Sequence, residues 1–146
     1  MTVMDGLWAW LKTAPVFASV RLDMDCLQAA PDRFSLDSVP GERVIKRYLD
    51  GGTVRRQLFI VSSRAVYGAN LAQQKANLQL FEDLENWIDD RALRGALPVL
   101  GEGRRARSLV VLSTPYLMEA EEGSGPATAR YQIQLELIYL QGGNSE

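Results

Sequence analysis

The sequence contains no histidine, and this absence excludes several kinds of catalytic site. Histidine is the most common general base near neutral pH, and it belongs to the Ser-His-Asp and Cys-His arrangements and to many zinc sites. Carboxylates, tyrosines and lysines could still catalyse a reaction, but the only lysines are Lys12, Lys46 and Lys75. We therefore expect no catalytic residue, no metal site and no cofactor.

Cysteine, long apolar runs and excess charge are scarce as well. Cys26 is the only cysteine, so no internal disulfide can form, and a reducing compartment suits the chain. No apolar run reaches the roughly 18 residues of a membrane span, and the N-terminus lacks the basic and apolar segments of a secretory signal. A net charge of −2 gives no global basic field, so we expect no sequence-specific nucleic-acid binding.

Alternation of apolar and polar residues is the clearest pattern that the sequence contains. It is strict near the C-terminus, where Tyr131, Ile133, Leu135 and Leu137 share one face of a predicted half-buried strand. Strands are predicted at 16–24, 34–36, 43–49, 54–62, 108–113 and 130–140, with 108–113 at the centre of the sheet. Helices are predicted at 2–12 and 70–93. At 146 residues this order predicts one domain, 1–146, of the α+β class with a mostly antiparallel sheet.

The long predicted helix begins at Asn70, a good N-cap, and ends before Gly95. One stripe at three-four spacing would pack the helix onto one face of the sheet, with burial of Phe81, Leu84, Trp87 and Ile88. Its acidic residues lie mostly on the opposite face and are Glu82, Asp83, Glu85, Asp89 and Asp90. They could form a carboxylate metal site, but a solvated helix face is the favoured interpretation.

Three parts of the chain are candidates for contact with a partner. Trp10 falls off the apolar face of the short N-terminal helix, so it is either a partly exposed peripheral residue or an anchor for a neighbouring subunit. A basic loop carries Arg104, Arg105 and Arg107, and an acidic loop carries Glu119, Glu121 and Glu122. The basic loop could be solvated, bind phosphate or meet an acidic partner. The two loops could pair between adjacent copies of a homo-oligomer.

The stretch from Tyr48 to Tyr139 resembles a family of small proteins from phages and prophages of Gram-positive bacteria. Members are often labelled minor capsid or tail terminator proteins. Local matches carry the resemblance in order: the strand-turn-strand at 48–59, the segment 63–68, the helix residues Asn77, Phe81, Leu84, Trp87 and Ile88 with the segment 97–101, and the segments 116–120 and 129–135. Together they cover about two thirds of the chain. Some members are labelled chloramphenicol resistance proteins, but the enzyme that acetylates that drug depends on a histidine base.

The resemblance implies a structural virion protein. A tail terminator forms a homo-hexameric ring that caps the tail tube, stops its growth and joins it to the head. Its implied partners are further copies of itself, the tail tube protein, the head-tail connector protein and, where the tail is contractile, the sheath protein. The implied location is the virion tail or neck, assembled in the bacterial cytoplasm. The alternatives are a neck or head-completion protein, and a small-molecule-binding or enzymatic α+β domain.

Overall fold

The computed structural model describes residues 2–18, 21–24, 34–41, 43–66, 71–113, 116–121 and 128–142. Within these ranges, residues 64–66, 71–77, 116–121 and 128–130 are described by their backbone alone. The helices are α1 (Val3–Leu11), a 3-10 helix (Pro15–Ala18) and α2 (Leu71–Leu93). The strands are β1 (Leu22–Met24), β2 (Phe34–Val39), β3 (Val44–Arg47), β4 (Thr53–Val66), β5 (Arg104–Val111), β6 (Tyr116–Glu121) and β7 (Thr128–Gln141). This architecture confirms the predicted α+β class.

Two long antiparallel strands, β4 and β7, form the centre of a seven-stranded sheet. β2 and β3 follow one another along the free side of β4, and β5 and β6 do the same along β7. β1 pairs with β2 in parallel, whereas the other described pairings are antiparallel. β4 and β7 occupy the centre because each is long enough, at 14 residues, to pair with successive short strands. Among the described strands, the sheet therefore has one edge at β1 and β3 and another at β5 and β6.

One face of the sheet carries the hydrophobic core. Alternating residues of the central strands point to this face because side chains alternate along a strand. The helices pack against them, α2 through its predicted apolar stripe and α1 through two leucines. The fully buried members of this cluster include Leu7, Leu11, Phe59, Val61, Phe81, Leu84, Ile88, Ile133, Leu135 and Leu137. The packing predicted for the long helix is confirmed for Phe81, Leu84 and Ile88, whereas Trp87 is only half-buried.

The helix ends follow the signals in the sequence. At the start of α1, Thr2 Oγ1 accepts a hydrogen bond from the Asp5 backbone N–H (3.0 Å), and the Asp5 carboxylate accepts one from the Thr2 N–H (2.8 Å). After α2, Gly95 adopts a φ of 74°, and the N–H of Ala96 donates to the carbonyl oxygen of Arg91 (2.9 Å). These arrangements are a capping box and a Schellman motif. The predicted cap Asn70 lies outside the described residues.

The strand predicted at 16–24 is confirmed at residues 22–24, which form β1, and is wrong at residues 16–18. Pro15 opens a 3-10 helix there, and residues 19–20 lie outside the described ranges. Proline is well suited to the first turn of a helix because its φ is already fixed there. Phe17 then packs edge-on against Phe34, with ring centroids 5.4 Å apart, so tertiary packing supports the helical turn.

The strand predicted at 108–113 lies at an edge of the sheet and not at its centre. It belongs to β5, which pairs with β7 on one side only among the described strands. Leu109 is buried in the core, but Val110 and Leu112 are 43% and 49% exposed on the opposite side. The apolar run 108–113 is therefore buried on one face only. No described helix covers the other face of the sheet, so Val110 and Leu112 remain exposed there.

Candidate interaction surfaces

The arginine cluster lies on a strand and not in the loop that was predicted. β5 begins at Arg104, directly after Gly103, whose φ of 77° ends the preceding turn. Arg104 is half-buried, and its Nη1 donates to the carbonyl oxygen of Leu100 (3.3 Å). Arg105 and Arg107 are exposed, and Arg107 sits in a bulge where the pairing with β7 shifts by one residue. Positive charges and bulges of this kind are common on edge strands, where they discourage indiscriminate pairing with other chains.

A second basic group lies at the same end of the sheet, on the opposite edge. β3 carries Lys46 and Arg47, both exposed, with the exposed Arg43 just before it. Lys46 pairs with Val54 of β4, Val54 pairs with Leu140 of β7, and Leu140 pairs with Arg105 of β5. Lys46 and Arg105 therefore lie at the two ends of one row of paired residues that crosses four strands. Adjacent strands are about 4.8 Å apart, so the backbones at the two ends of this row are about 14 Å apart. This group could not be predicted from the sequence because its charges are distant in the chain from the arginines of β5.

The acidic partner predicted for the arginines is only partly described. Glu119 and Glu121 belong to β6, paired with Arg130 and Thr128 of β7, and so they are not in a loop. Their side chains and all of Glu122 lie outside the described residues. Pairing of these glutamates with the arginines of another copy therefore stays a prediction.

Trp10 is half-buried in contacts within its own chain. Its Nε1 donates to the carbonyl oxygen of Ala96 (2.9 Å), and its ring centroid lies 4.8 Å from that of Trp87 on α2. The indole therefore helps to hold α1 against the end of α2. Trp10 lies beside the apolar face of α1 because its contacts are with α2 and the residues after it. A role for its exposed part in a subunit contact stays a prediction.

The outward face of α2 is acidic, as predicted. Glu82, Asp83, Asp89 and Asp90 are exposed, and Glu85 is half-buried. Partial burial raises the pKa of Glu85, and the neighbouring carboxylates Asp89 and Glu82 raise it further. The described part of the chain contains no group of three or more His, Cys, Asp or Glu placed to hold a metal ion. None of its helices is long and apolar enough to cross a membrane.

The tip of the β3–β4 hairpin is an exposed apolar knob that was not predicted from the sequence. Leu49, predicted as the end of a strand, has 110% relative exposure, and the preceding Tyr48 has 42%. The turn is well fixed: the N–H of Tyr48 donates to the carbonyl oxygen of Gly52 (2.8 Å), and Gly51 has a φ of 90°. The signal in the sequence was a leucine directly before the turn residues Asp50 and Gly51.

An apolar groove lies between the 3-10 helix and α2. It has a volume of about 450 Å³ and is lined by Pro15, Val16, Leu80, Asp83 and Trp87. Trp87 forms one wall, and its ring contacts that of Trp10, as described above. Asp83 is exposed and is the only charged residue in the lining.

Comparison with known proteins gives distant structural likenesses only. No protein-family model and no curated protein sequence matches the chain. A chain from the virion of a native gene transfer agent particle is similar at a TM-score of 0.48 and 20% identity, over 97% of this chain and 92% of that one. A second solved chain, whose printed name states no function, has a TM-score of 0.46 at 11% identity, over 91% of this chain and 88% of that one. At these TM-scores neither likeness decides what the present chain does.

Proposed function

We propose that this chain is a structural, non-enzymatic protein of a phage-like particle and acts there as the tail terminator. In this role it forms a ring on the last ring of the tail tube, stops tube growth and joins the tail to the head connector. The observation that carries the proposal is the ordered resemblance of residues 48–139 to the phage family. The lack of histidine, which removes the most common general base near neutral pH, is consistent with a protein that performs no chemistry.

The distribution of surface features supports assembly into a ring. A closed ring larger than a dimer needs two different patches on each subunit, one of which meets the other on the next copy. The described surface offers patches of opposite kind: exposed basic residues at one end of the sheet, and exposed acidic residues along α2. Attraction between such patches guides the approach and register of subunits, while apolar contacts supply most of the affinity.

The proposal is tested by producing particles that lack this chain. Without a terminator, tails should have uncontrolled lengths or should fail to join heads, and a plasmid copy of the gene should restore normal particles. Electron microscopy measures both properties. Joined tails of fixed length in the absence of this chain would refute the assignment.

The same experiment separates the runner-up role in the particle. A neck or head-completion protein acts after the tail has reached its length. Its loss should therefore leave tails of normal length that are not joined to heads. A terminator ring can form on the tube itself, so a monomer in dilute solution is compatible with the proposed role.

A further inference from the structure

The exposed tip of the β3–β4 hairpin has the features of an interface residue held ready for a partner. Leu49 makes no use of its apolar side chain within its own chain, since its exposure is 110%. The turn that presents it is closed by backbone hydrogen bonds, and the Asp50 carboxylate also accepts a hydrogen bond from the Gly52 N–H (2.8 Å). A rigid knob loses little conformational freedom on binding, so its burial is converted efficiently into affinity.

The groove beside Trp87 is the described surface that best matches this knob. Leu80, Val16 and Trp87 provide half-buried apolar walls, and Pro15 lies at the exposed rim. Trp87 is kept in place by its ring contact with Trp10. A leucine entering the groove would therefore meet preformed walls, and aromatic residues in such pockets are typical centres of binding energy.

The charges around the knob and the groove are opposite. Lys46 and Arg47 are exposed on the hairpin strand that leads to Leu49, and the Lys46 Nζ lies 5.2 Å from the centre of the Tyr48 ring. At the groove, Asp83 is exposed, and it accepts a hydrogen bond from the Gln79 side-chain amide one turn earlier (2.8 Å). Asp90, about two turns of helix beyond Asp83, is already ion-paired with Arg94 (3.1 Å), and Arg91 lies 5.6 Å from the centre of the Trp87 ring. Asp83 is therefore the carboxylate that the groove offers. An apolar knob with a basic stalk is thus complementary to an apolar groove whose acidic rim is Asp83.

From these features we infer that the hairpin tip of one copy of this chain binds in the groove of the next copy. Leu49 is the inserted residue, and Lys46 pairs with the acidic rim at Asp83. Knob and groove belong to different elements of the fold, so the contact is heterologous and can be repeated from copy to copy around a ring. The inference rests on the proposed ring and names the surfaces that would close it.

A photo-crosslinker at position 49 tests the contact directly. The full chain is produced with p-benzoylphenylalanine in place of Leu49, as a mixture of isotopically labelled and unlabelled copies at the highest soluble concentration. After irradiation, mass spectrometry should find crosslinks between labelled and unlabelled copies at Val16, Leu80 or Trp87. Crosslinks to another part of a neighbouring copy, or no crosslink between copies either in solution or in particle-producing cells, would overturn the inference. Irradiation in particle-producing cells provides the second arm, in which a crosslink to a different protein would also overturn it.

A charge exchange provides an independent test. Lys46→Glu or Asp83→Lys alone should weaken self-association by roughly tenfold or more, whereas the double variant should recover most of it because every copy then carries both reversed charges. Asp89→Lys is the matched control, since Asp89 is exposed on α2 but does not line the groove. Equal losses in Asp83→Lys and Asp89→Lys, or no recovery in the double variant, would exclude this pairing.

The outcome for the contact is separate from the outcome for the function. If particles without the chain show uncontrolled tails but Leu49→Ser restores them as well as the natural chain does, the ring assignment stands and the hairpin contact fails. If such particles have normal joined tails, the tail-terminator assignment fails whatever the crosslinks show. Leu93→Ser serves as the control for Leu49→Ser, because Leu93 is also highly exposed, at 88%, and lies outside the groove.

Discussion

Asp5 and Glu85 are both acidic residues on helices, yet their surroundings shift their pKa values in opposite directions. Hydrogen bonds from the backbone and hydroxyl of Thr2 lower the pKa of Asp5 below its ordinary 3.8. Partial burial, together with Asp89 and Glu82, raises the pKa of Glu85 above its ordinary 4.5. The ionised form of Asp5 therefore stabilises the fold, whereas the ionised form of Glu85 destabilises it.

These opposite shifts predict opposite effects of neutralising the two residues. Glu85→Gln should raise the midpoint of thermal unfolding at neutral pH, and the gain should fade as the pH falls through the folded pKa toward 4.5. Asp5→Asn should lower the midpoint at neutral pH, and this loss should fade below 3.8, as the pH falls through the folded pKa. Thermal melts from neutral to acidic pH measure both. A loss of stability in Glu85→Gln at neutral pH would contradict the assigned environment.

Phe81 is the residue through which the fold can be tested most simply. Its side chain is 0% exposed, and its ring centroid lies 5.1 Å from that of Phe34 in β2. Phe81→Ala should reduce the free energy of unfolding by about 3–5 kcal/mol, because it removes buried apolar area and leaves a cavity. Urea titration measures the change, with Leu78→Ala at an exposed position of the same helix as the control. A loss below about 1 kcal/mol would place Phe81 outside the core.

Single residues could be predicted from the sequence where a local rule determines their role. Thr2 and Gly95 are caps whose chemistry acts over a few residues, and both are found as expected. Trp10 and Leu49 depend on distant parts of the chain. The position of Trp10 is decided by Ala96 and Trp87, which follow it by more than 70 residues, and the exposure of Leu49 by the way the hairpin projects from the sheet.

At the scale of elements, the seat of α1 depends on a close approach at Gly6. Gly6 is buried in the middle of the helix, and an added Cβ there would overlap the carbonyl oxygen of Val99. Helix propensity alone favours alanine over glycine by about 1 kcal/mol. Backbone atoms of the segment before β5 therefore select glycine at a position where helix propensity disfavours it.

This conflict predicts the sign of a substitution. Gly6→Ala should destabilise the protein by about 1–3 kcal/mol, since α1 or residues 97–100 must shift to admit the methyl group. Ala9→Gly, at an exposed position of the same helix, is the control and should cost about 1 kcal/mol through propensity alone. Chemical denaturation measures the free energy of unfolding of both variants. Stabilisation by Gly6→Ala would show that α1 does not pack closely against Val99.

The elements themselves were predicted with uneven success, for physical reasons. The long helix, the β3–β4 hairpin and the closing strand carry strong periodic or turn signals, and each is present. The order of the strands was not predicted, because an apolar run such as 108–113 does not reveal which neighbours it will have. The arginines before it were placed in a loop since charge suggested solvent, yet an exposed edge strand accommodates charge equally well.

At the scale of the whole molecule, the net charge of −2 hides a separation of charge. The described basic residues of β3 and β5 lie at one end of the sheet, and the acidic residues of α2 lie on its outward face. Such a molecule is attracted head to tail to its own copies, and added salt should weaken that attraction. The separation also directs the hairpin, which carries basic residues, toward the acidic groove of a neighbour.

The symmetry of the inferred contact gives the last prediction, which concerns mixtures of two variants. Leu49→Ser lacks the knob but keeps its groove, whereas Asp83→Lys has an impaired groove but keeps its knob. Each variant alone should self-associate only weakly, because every contact then has one impaired partner. Mixed together they should form one good contact per pair, so association should stop at the heterodimer. The natural chain, with both surfaces intact, should continue beyond the dimer.

Native mass spectrometry at the highest soluble concentration can distinguish these assemblies. The control is a mixture of Leu93→Ser and Asp89→Lys, which should still form species larger than the dimer. A symmetric contact, in which the same patch meets itself, would instead stop the natural chain at the dimer. Growth of the knob and groove mixture beyond two copies would equally contradict a heterologous contact, since that mixture has only one intact contact to use. A ring therefore requires that each copy use its knob and its groove at the same time. Their location on separate elements of the fold makes this possible.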